Sequence, residues 1–171
     1  METKQLKTVR LRAIEPEDLD LLYTIENDRS LWHVGTANVP YSRYMLHDYI
    51  AHTTGDLYSE KQLRLVIECS GQAIGLIDLF DFSPAHLRAE VGIAVLEEFR
   101  EQGVAAEALR LLTDYARSVL HLHQLYALVA LSNEKALNLF RRLGFSSSSV
   151  LEDWLYDGQI YEKVVVLQFF L

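Results

Sequence analysis

The sequence has a single cysteine and no long apolar run. Cys69 is the only cysteine in 171 residues, which excludes an intramolecular disulfide and a cysteine-rich metal site. No apolar run approaches the roughly 20 residues that cross a bilayer, and the opening stretch METKQLKTVR carries no apolar export signal. We therefore expect a cytoplasmic protein with no membrane association and no bound metal.

Positive charge is also scarce. The chain has 16 Lys and Arg against 24 Asp and Glu, a net charge of −8. Because nucleic-acid binding depends on neutralising phosphates with basic side chains, this balance argues against a nucleic-acid partner. It permits a cationic partner, although many soluble proteins are mildly acidic. The length predicts one domain over residues 1–171.

Alternating and helical patterns follow one another without a repeat or a linker. The patterns predict seven strands and four longer helices in a mixed α/β domain. Strands are predicted at 8–14, 63–68, 73–82, 89–95, 124–131, 148–156 and 159–170. Helices are predicted within 15–28, 38–53, 104–120 and 132–144. Turns are expected at Ser70-Gly71 and Asp157-Gly158, a helix cap at Ser42, and a second cap at Ser132 or Asn133.

The most informative stretch is FREQGVAAEALRLL, residues 99–112. The first N–H groups of a helix lack intrahelical partners, and the helix dipole adds positive potential there. Gly103 lets a ligand approach the backbone, Arg100 adds positive charge, and the small Ala105 leaves the first turn uncrowded. This arrangement predicts a cradle for a pyrophosphate group. The alternative is a simple turn between a strand and a helix. The stretch lacks the lysine and hydroxyl of a Walker loop and the several glycines of a dinucleotide fingerprint.

The sequence resembles the GNAT N-acetyltransferase superfamily. The family's phosphate-binding loop, Arg/Gln-x-x-Gly-x-Gly/Ala, is matched by Arg100-Glu101-Gln102-Gly103-Val104-Ala105. The strand before that loop is matched by AEVGIAVL, and the later strand, asparagine and short helix by LVALSNEKALNLFRRLGF. The layout is most similar to the spermidine/diamine N-acetyltransferases and the ribosomal-protein N-terminal acetyltransferases.

The resemblance implies a mostly antiparallel sheet with flanking helices and central strands splayed around acetyl-CoA, the acetyl donor. It also implies a set of cofactor-binding residues on the splayed strand, the loop and the short helix. These residues are Val91, Ile93, Val95, Arg100, Glu101, Gln102, Gly103, Val104, Ala105, Asn133, Lys135 and Phe140. Phe140 departs from the family, because many relatives have a tyrosine there that is proposed to protonate the leaving thiolate.

Acetyl transfer to an amine needs a proton acceptor, because an alkyl amine with a pKa of about 10 is mostly protonated at neutral pH. Glu90 and Asp78 are the candidates for this catalytic role; the alternative for each is a solvated strand carboxylate. Asp81 is expected on the other face of its strand from Asp78, unless that strand bends. His121 and His123 are expected to be surface or packing residues, because no ligand cluster accompanies them.

The acceptor is expected to be a small cationic amine such as a polyamine. The spermidine enzymes have an acidic segment between the first two helices that binds polyamine as an effector. The corresponding residues 30–50 have one acid, Asp48, against Arg43, His33 and His47. A peptide N-terminus as acceptor, a weakly active coenzyme A-binding module and an unrelated α/β domain with a chance loop therefore stay open, as does a homo-oligomer. The aromatic residues Trp32, Tyr41 and Tyr44 are expected either to line the acceptor cleft or to pack in the core.

Overall fold

The structure is a computed structural model that describes residues 8–31 and 39–171. The helices are α1 (Leu19–Glu26), α2 (Arg43–His52), α3 (Leu57–Glu60), α4 (Val104–Ser118) and α5 (Glu134–Arg142). The strands are β1 (Val9–Arg12), β2 (Leu63–Cys69), β3 (Gln72–Ser83), β4 (Arg88–Val95), β5 (Gln124–Ala130), β6 (Ser146–Tyr156) and β7 (Tyr161–Phe170). The predicted order of elements is confirmed; within residues 8–31 and 39–171, the sequence patterns missed only the short α3 and the 3₁₀ turns at Pro16–Asp18 and Glu97–Phe99.

The seven strands form one sheet in the order β1-β2-β3-β4-β5-β7-β6. Every neighbouring pair is antiparallel except β4 and β5, which are parallel. The sheet is therefore mixed and mostly antiparallel, as predicted. The parallel pair is short, since it joins residues 88–90 to residues 124–126 and extends no further.

Helices cover the two faces of the sheet unequally. Alternating strand residues such as Ile77, Val91 and Leu125 face α4 and α5 and form the larger core with them. On the other face, α1 and α2 pack over Val66 and Leu76 of β2 and β3. Farther along that face, β4, β5 and β7 carry half-buried side chains, many of them polar. We call this part the polar face; it comprises Arg88, Glu90, Gln124, Tyr126 and Gln168.

Local signals in the sequence fix the ends of several elements. Ser70 and Gly71 have φ of 50° and 84°, the left-handed values of a two-residue hairpin turn between β2 and β3. The Ser42 side chain accepts from the N–H of Met45 and caps α2. Asn133, the second of the two predicted candidates, caps α5 by accepting from the third residue of that helix.

The terminal hairpin has a longer turn than the dipeptide Asp157-Gly158 provides. β6 ends at Tyr156 and β7 begins at Tyr161, so residues 157–160 form the connection. The Asp157 carboxylate accepts from the N–H groups of Gln159 and Ile160 and closes it. Nowhere in ranges 8–31 and 39–171 is there a helix long and apolar enough to cross a membrane.

Candidate active site

The two central strands separate beyond Glu90. β3 pairs with β4 as far as Val95, whereas the last pair between β4 and β5 is Glu90 with Tyr126. Among the described strands, none pairs with β4 from Val91 to Val95 on its β5 side. Val91 and Val95 are buried and Ile93 packs against the same core. Val91 and Val95 can therefore offer a ligand only their backbone groups, whereas Ile93 is half-buried.

The loop after β4 is shaped for an anion. Gly103 caps α4 with φ of 80°, and a Cβ added there would meet nothing within 4 Å, so the loop is open on its outer side. Nε of Arg100 donates to the carbonyl oxygen of Val95 at 2.8 Å, which ties the loop to the end of the splayed strand. Gln102 likewise donates to the carbonyl of Glu98. The 15-residue helix α4 therefore begins at an open, positively polarised surface that fits a diphosphate.

The start of α5 lies next to this loop. The Lys135 ammonium of α5 forms an ion pair with the Glu101 carboxylate of the loop. These two predicted cofactor-binding residues therefore lie next to each other. Asn133 is exposed, and its side-chain oxygen caps the helix. Within the loop, Val104 is buried and contributes only its backbone, while Ala105 is half-buried.

Phe140 lies in the core rather than on an open surface. Its side chain is 3% exposed and packs edge-on against Phe145, with 5.0 Å between the ring centroids. Phe140 is therefore not exposed in the gap between β4 and β5. Its contact with the cofactor stays a prediction.

The Glu90 carboxylate lies where the central strands begin to separate. It accepts a hydrogen bond from the backbone N–H of Leu128, two residues beyond the last β4–β5 pair. Burial, followed by the negative charge of Asp81, raises the pKa of Glu90 to about 7, and the Leu128 N–H opposes the rise. Glu90 thus changes protonation state near neutral pH, a property typical of a general base.

A bend in β3 brings Asp81 to the same face as Glu90. The β3–β4 register shifts between Phe80 and Ser83, and Asp81 has φ of 48°, so the bend that reverses simple alternation is present. Oδ2 of Asp81 accepts from the Tyr126 hydroxyl at 2.6 Å. Tyr126 was not predicted from the sequence, although its alternation with Leu125 and Ala127 along β5 places it on this face.

Asp78 occupies a different environment. Both of its oxygens accept from the Arg64 guanidinium at 2.8 Å, and the same guanidinium also pairs with Glu26 of α1. Asp78 lies opposite Gly92, on the side of the sheet that also carries the polar face. A Cβ at Gly92 would lie 3.0 Å from the Phe80 ring, so this glycine permits a close approach between β3 and β4.

A groove extends along the polar face beside Glu90. Its volume is about 300 Å³, large enough for a small molecule or an extended chain. The residues that line it are Arg88, Gln124, Tyr126, Val166 and Gln168. Nε2 of Gln168 donates to Oε1 of Gln124 at 2.9 Å. Tyr126 therefore lines the groove and also contacts the carboxylate cluster, by which we mean Glu90 and Asp81.

The remaining predicted residues lie away from this cluster. Tyr41 packs with the α1–α2 core, which was one of its two predicted environments. Tyr44 is 80% exposed, so it does not pack in the core, and its place in the acceptor cleft stays a prediction. His121 and His123 are exposed, and the latter contacts the Phe170 ring.

Trp32 and His33 lie outside the described residues. Within the described ranges, no three His, Cys, Asp or Glu side chains are grouped to hold a metal ion.

Residues 8–146 match the acetyltransferase (GNAT) domain family, and the chain belongs to this family. It is 34% identical over 155 residues to spermidine N(1)-acetyltransferase of Escherichia coli K12, which covers 89% of this chain and 81% of that protein. It is 26% identical over 162 residues to the putative ribosomal N-acetyltransferase YdaF of Bacillus subtilis, covering 92% and 88%. The crystal structure of Vibrio cholerae spermidine N-acetyltransferase in complex with CoA and spermine has a TM-score of 0.83 at 27% identity, covering 95% of each chain.

The resemblance inferred from the loop and the short helix is thereby confirmed. The protein is an acetyltransferase that uses acetyl-CoA as its acetyl donor. The splayed strand and the open loop at the start of α4 are the features of this chain that fit that donor.

Proposed function

We propose that the protein transfers an acetyl group from acetyl-CoA to a primary amine of a polyamine or a similar small cationic amine. The observation that carries the proposal is the Glu90 carboxylate at the opening between β4 and β5, next to the groove of the polar face. Asp81 and Asp78 add negative charge on the same side of the sheet. The spermidine N(1)-acetyltransferase relative at 34% identity supports this class of acceptor.

The chain holds its acetyl donor mainly through backbone groups. The N–H groups of Glu101 to Ala105 at the start of α4 bind the pyrophosphate, and Arg100 and Lys135 supply positive charge. The free edge of β4 pairs with the pantetheine arm, and Asn133 contacts it from the α5 side. Acetyl-CoA supplies an activated acetyl group, and the protein's own side chains handle the proton of the acceptor.

Glu90 accepts that proton. An acceptor ammonium with a pKa of about 10 binds protonated, and it must lose the proton before its nitrogen becomes a nucleophile. A base whose pKa is about 7 accepts it more readily than a carboxylate of ordinary pKa. Asp78 already has both of its oxygens in the Arg64 fork, so we assign it no proton transfer; its charge contributes to the negative potential that attracts a second ammonium of the acceptor. No tyrosine stands at position 140. We propose that the thiolate leaves unprotonated, which a thiol pKa of about 8.5 permits, and then takes up the second proton, which the nitrogen releases as the amide forms.

Kinetics with matched variants test this assignment. Acetyl-CoA is combined with spermidine, spermine, a diamine or an N-terminal peptide, and thiol release and product mass are measured. We expect Glu90→Gln to lower kcat about 10²-fold or more with the preferred amine and to leave the KM for acetyl-CoA unchanged. Asp78→Asn should mainly raise the acceptor KM. The control is Glu152→Gln, an exposed carboxylate that pairs with Lys163 on the β6–β7 hairpin. Wild-type kinetics in both site variants would contradict the proposal.

N-terminal acetylation of a protein is the second candidate. It is favoured by the single acid in residues 30–50 and by relatives such as the N-alpha-acetyltransferase of Sulfurisphaera tokodaii, which is 27% identical over 168 residues. Acetylation of the peptide in preference to every polyamine would support it. A rise in melting temperature with coenzyme A but no turnover would instead indicate a binding module.

The protein is also proposed to form a homo-oligomer in the cytoplasm. A solved structure of the Vibrio cholerae relative, 27% identical, is described as dodecameric. In this chain the terminal hairpin exposes Trp154, Tyr156, Ile160 and Tyr161, which is an unusual cluster of large side chains for a free surface. Light scattering coupled to size exclusion should give a mass above the 19.6 kDa of one chain. A monomer at micromolar concentration would refute this part.

A further inference from the structure

Tyr126 connects the bend in β3 to the carboxylate of Glu90. It lies directly opposite Glu90 in the parallel β4–β5 pair. Its hydroxyl donates to Asp81 of β3, the strand on the other side of β4, at 2.6 Å. Asp81 has φ of 48°, a left-handed conformation that aspartate tolerates better than most residues and that turns its side chain out of the simple strand alternation. The Tyr126 hydrogen bond fixes the direction of the Asp81 carboxylate from this bend.

Charged and titratable groups surround Glu90 on each packed element. β3 contributes Asp78 and Asp81, β5 contributes Tyr126, and β4 itself contributes Arg88. Asp78 is already held in the fork of Arg64. Asp81 is therefore the carboxylate whose charge acts most directly on Glu90. The position of the Asp81 carboxylate depends on the Tyr126 hydroxyl that donates to it.

We propose that Tyr126 is a positioning residue that holds the Asp81 carboxylate against Glu90 and so tunes Glu90 to take the proton of the acceptor ammonium. The inference rests on the proposed acceptor site. The Tyr126 hydroxyl is a constant donor, because burial, the hydrogen bond to Asp81 and the nearby negative charges all raise the pKa of this tyrosine further above neutrality. The hydrogen bond consequently survives across the pH range in which Glu90 titrates.

Two single variants separate the hydrogen bond from the charge. Tyr126→Phe keeps the charge of Asp81 and removes the donor that holds it. Asp81→Asn removes the charge and keeps an oxygen that can accept from Tyr126. The double variant shows whether the tyrosine acts through the aspartate, since residues that act through one another give non-additive effects. Tyr161→Phe, in the exposed terminal hairpin, is the control, and circular dichroism checks that each variant is folded.

The readout is the ¹³C carboxyl resonance of Glu90, assigned by its loss in Glu90→Gln and titrated without acetyl-CoA or acceptor. We expect Tyr126→Phe and Asp81→Asn each to lower the titration midpoint by at least about half a pH unit, because a like charge next to a carboxylate raises its pKa. The double variant should titrate like Asp81→Asn, and Tyr161→Phe like wild type. The acidic limb of kcat/KM for the acceptor should move with the midpoint.

Two results would overturn the inference. One is a wild-type midpoint in Tyr126→Phe. The other is an equal effect of Tyr126→Phe with and without the charge at position 81, because the tyrosine would then not act through Asp81. Failure of the proposed function has a different signature, since it would leave Glu90→Gln with full turnover whatever the titration of Glu90 shows.

Discussion

Replacement of Glu90 by glutamine should stabilise the protein at alkaline pH although it removes the proposed proton acceptor. Burial and the charge of Asp81 raise the pKa of Glu90 from the ordinary 4.5 to about 7. At about 1.36 kcal/mol for each pH unit, that difference corresponds to roughly 3.4 kcal/mol. Glu90 is only half-buried, so solvent screening reduces the expected gain to about 1–2 kcal/mol. Glutamine has the same size, and its oxygen can still accept from the N–H of Leu128.

The pH dependence of the gain has a definite sign. Because the folded-state pKa of Glu90 lies above the unfolded-state value, the native protein binds this proton more tightly than the unfolded chain does. The wild type therefore loses stability as the pH rises from about 4.5 through about 7, and the loss is complete above that range. The glutamine variant has no such loss, so the difference between the two proteins should be full at pH 8 and shrink to about a quarter at pH 5.

Urea unfolding of both proteins at pH 5 and pH 8 measures this difference. Glu152→Gln, on the exposed terminal hairpin, is the control and should show no pH-dependent gain. If Glu90→Gln were destabilised at pH 8, or shifted equally at the two pH values, Glu90 would not carry a raised pKa in the folded protein, and the argument for its role as a base would fail.

Coenzyme A at 100 times its Kd should add about 2.7 kcal/mol to the free energy of unfolding and so raise the melting temperature. Gly103→Asp should abolish this rise, because it places bulk and negative charge in the loop at the start of α4. Gly158→Asp, also at a positive φ with open surroundings, is the matched control, and a full shift in the loop variant would contradict the assignment. Glu101→Gln should lower the coenzyme A Kd about two- to fivefold in a calorimetric titration, because it frees the Lys135 ammonium from its ion pair; an unchanged Kd would count against a role for this lysine. Arg64→Met should cost about 3–5 kcal/mol in urea unfolding, because it removes the guanidinium that the half-buried carboxylates of Glu26 and Asp78 share. Arg64→Lys should recover only part of that loss, because lysine lacks the planar fork, and a cost below about 1 kcal/mol would refute the network.

Signals that act over a few residues made much of the fold predictable. The Ser70-Gly71 turn, the cap at Ser42 and the start of α4 after Gly103 each depend on the chemistry of one or two residues and their immediate neighbours. Hydrophobic periodicity marked the seven strands and the longer helices, because each element must bury one face. The candidate anion-binding loop could also be predicted, since its glycine and arginine adjoin a helix start within six residues, 100–105.

The arrangement of the carboxylates was decided by tertiary structure. The sequence put Glu90 and Asp78 forward as equals, but only the folded sheet gives Asp78 to the Arg64 fork and leaves Glu90 half-buried at the end of the β4–β5 pairing. The contact between Asp81 and Tyr126 joins residues 45 positions apart. It requires a register shift that alternation does not encode. Strand register and burial are properties of the assembled sheet, and so the pKa of Glu90 and the partner of Asp81 existed only once β3, β4 and β5 lay side by side.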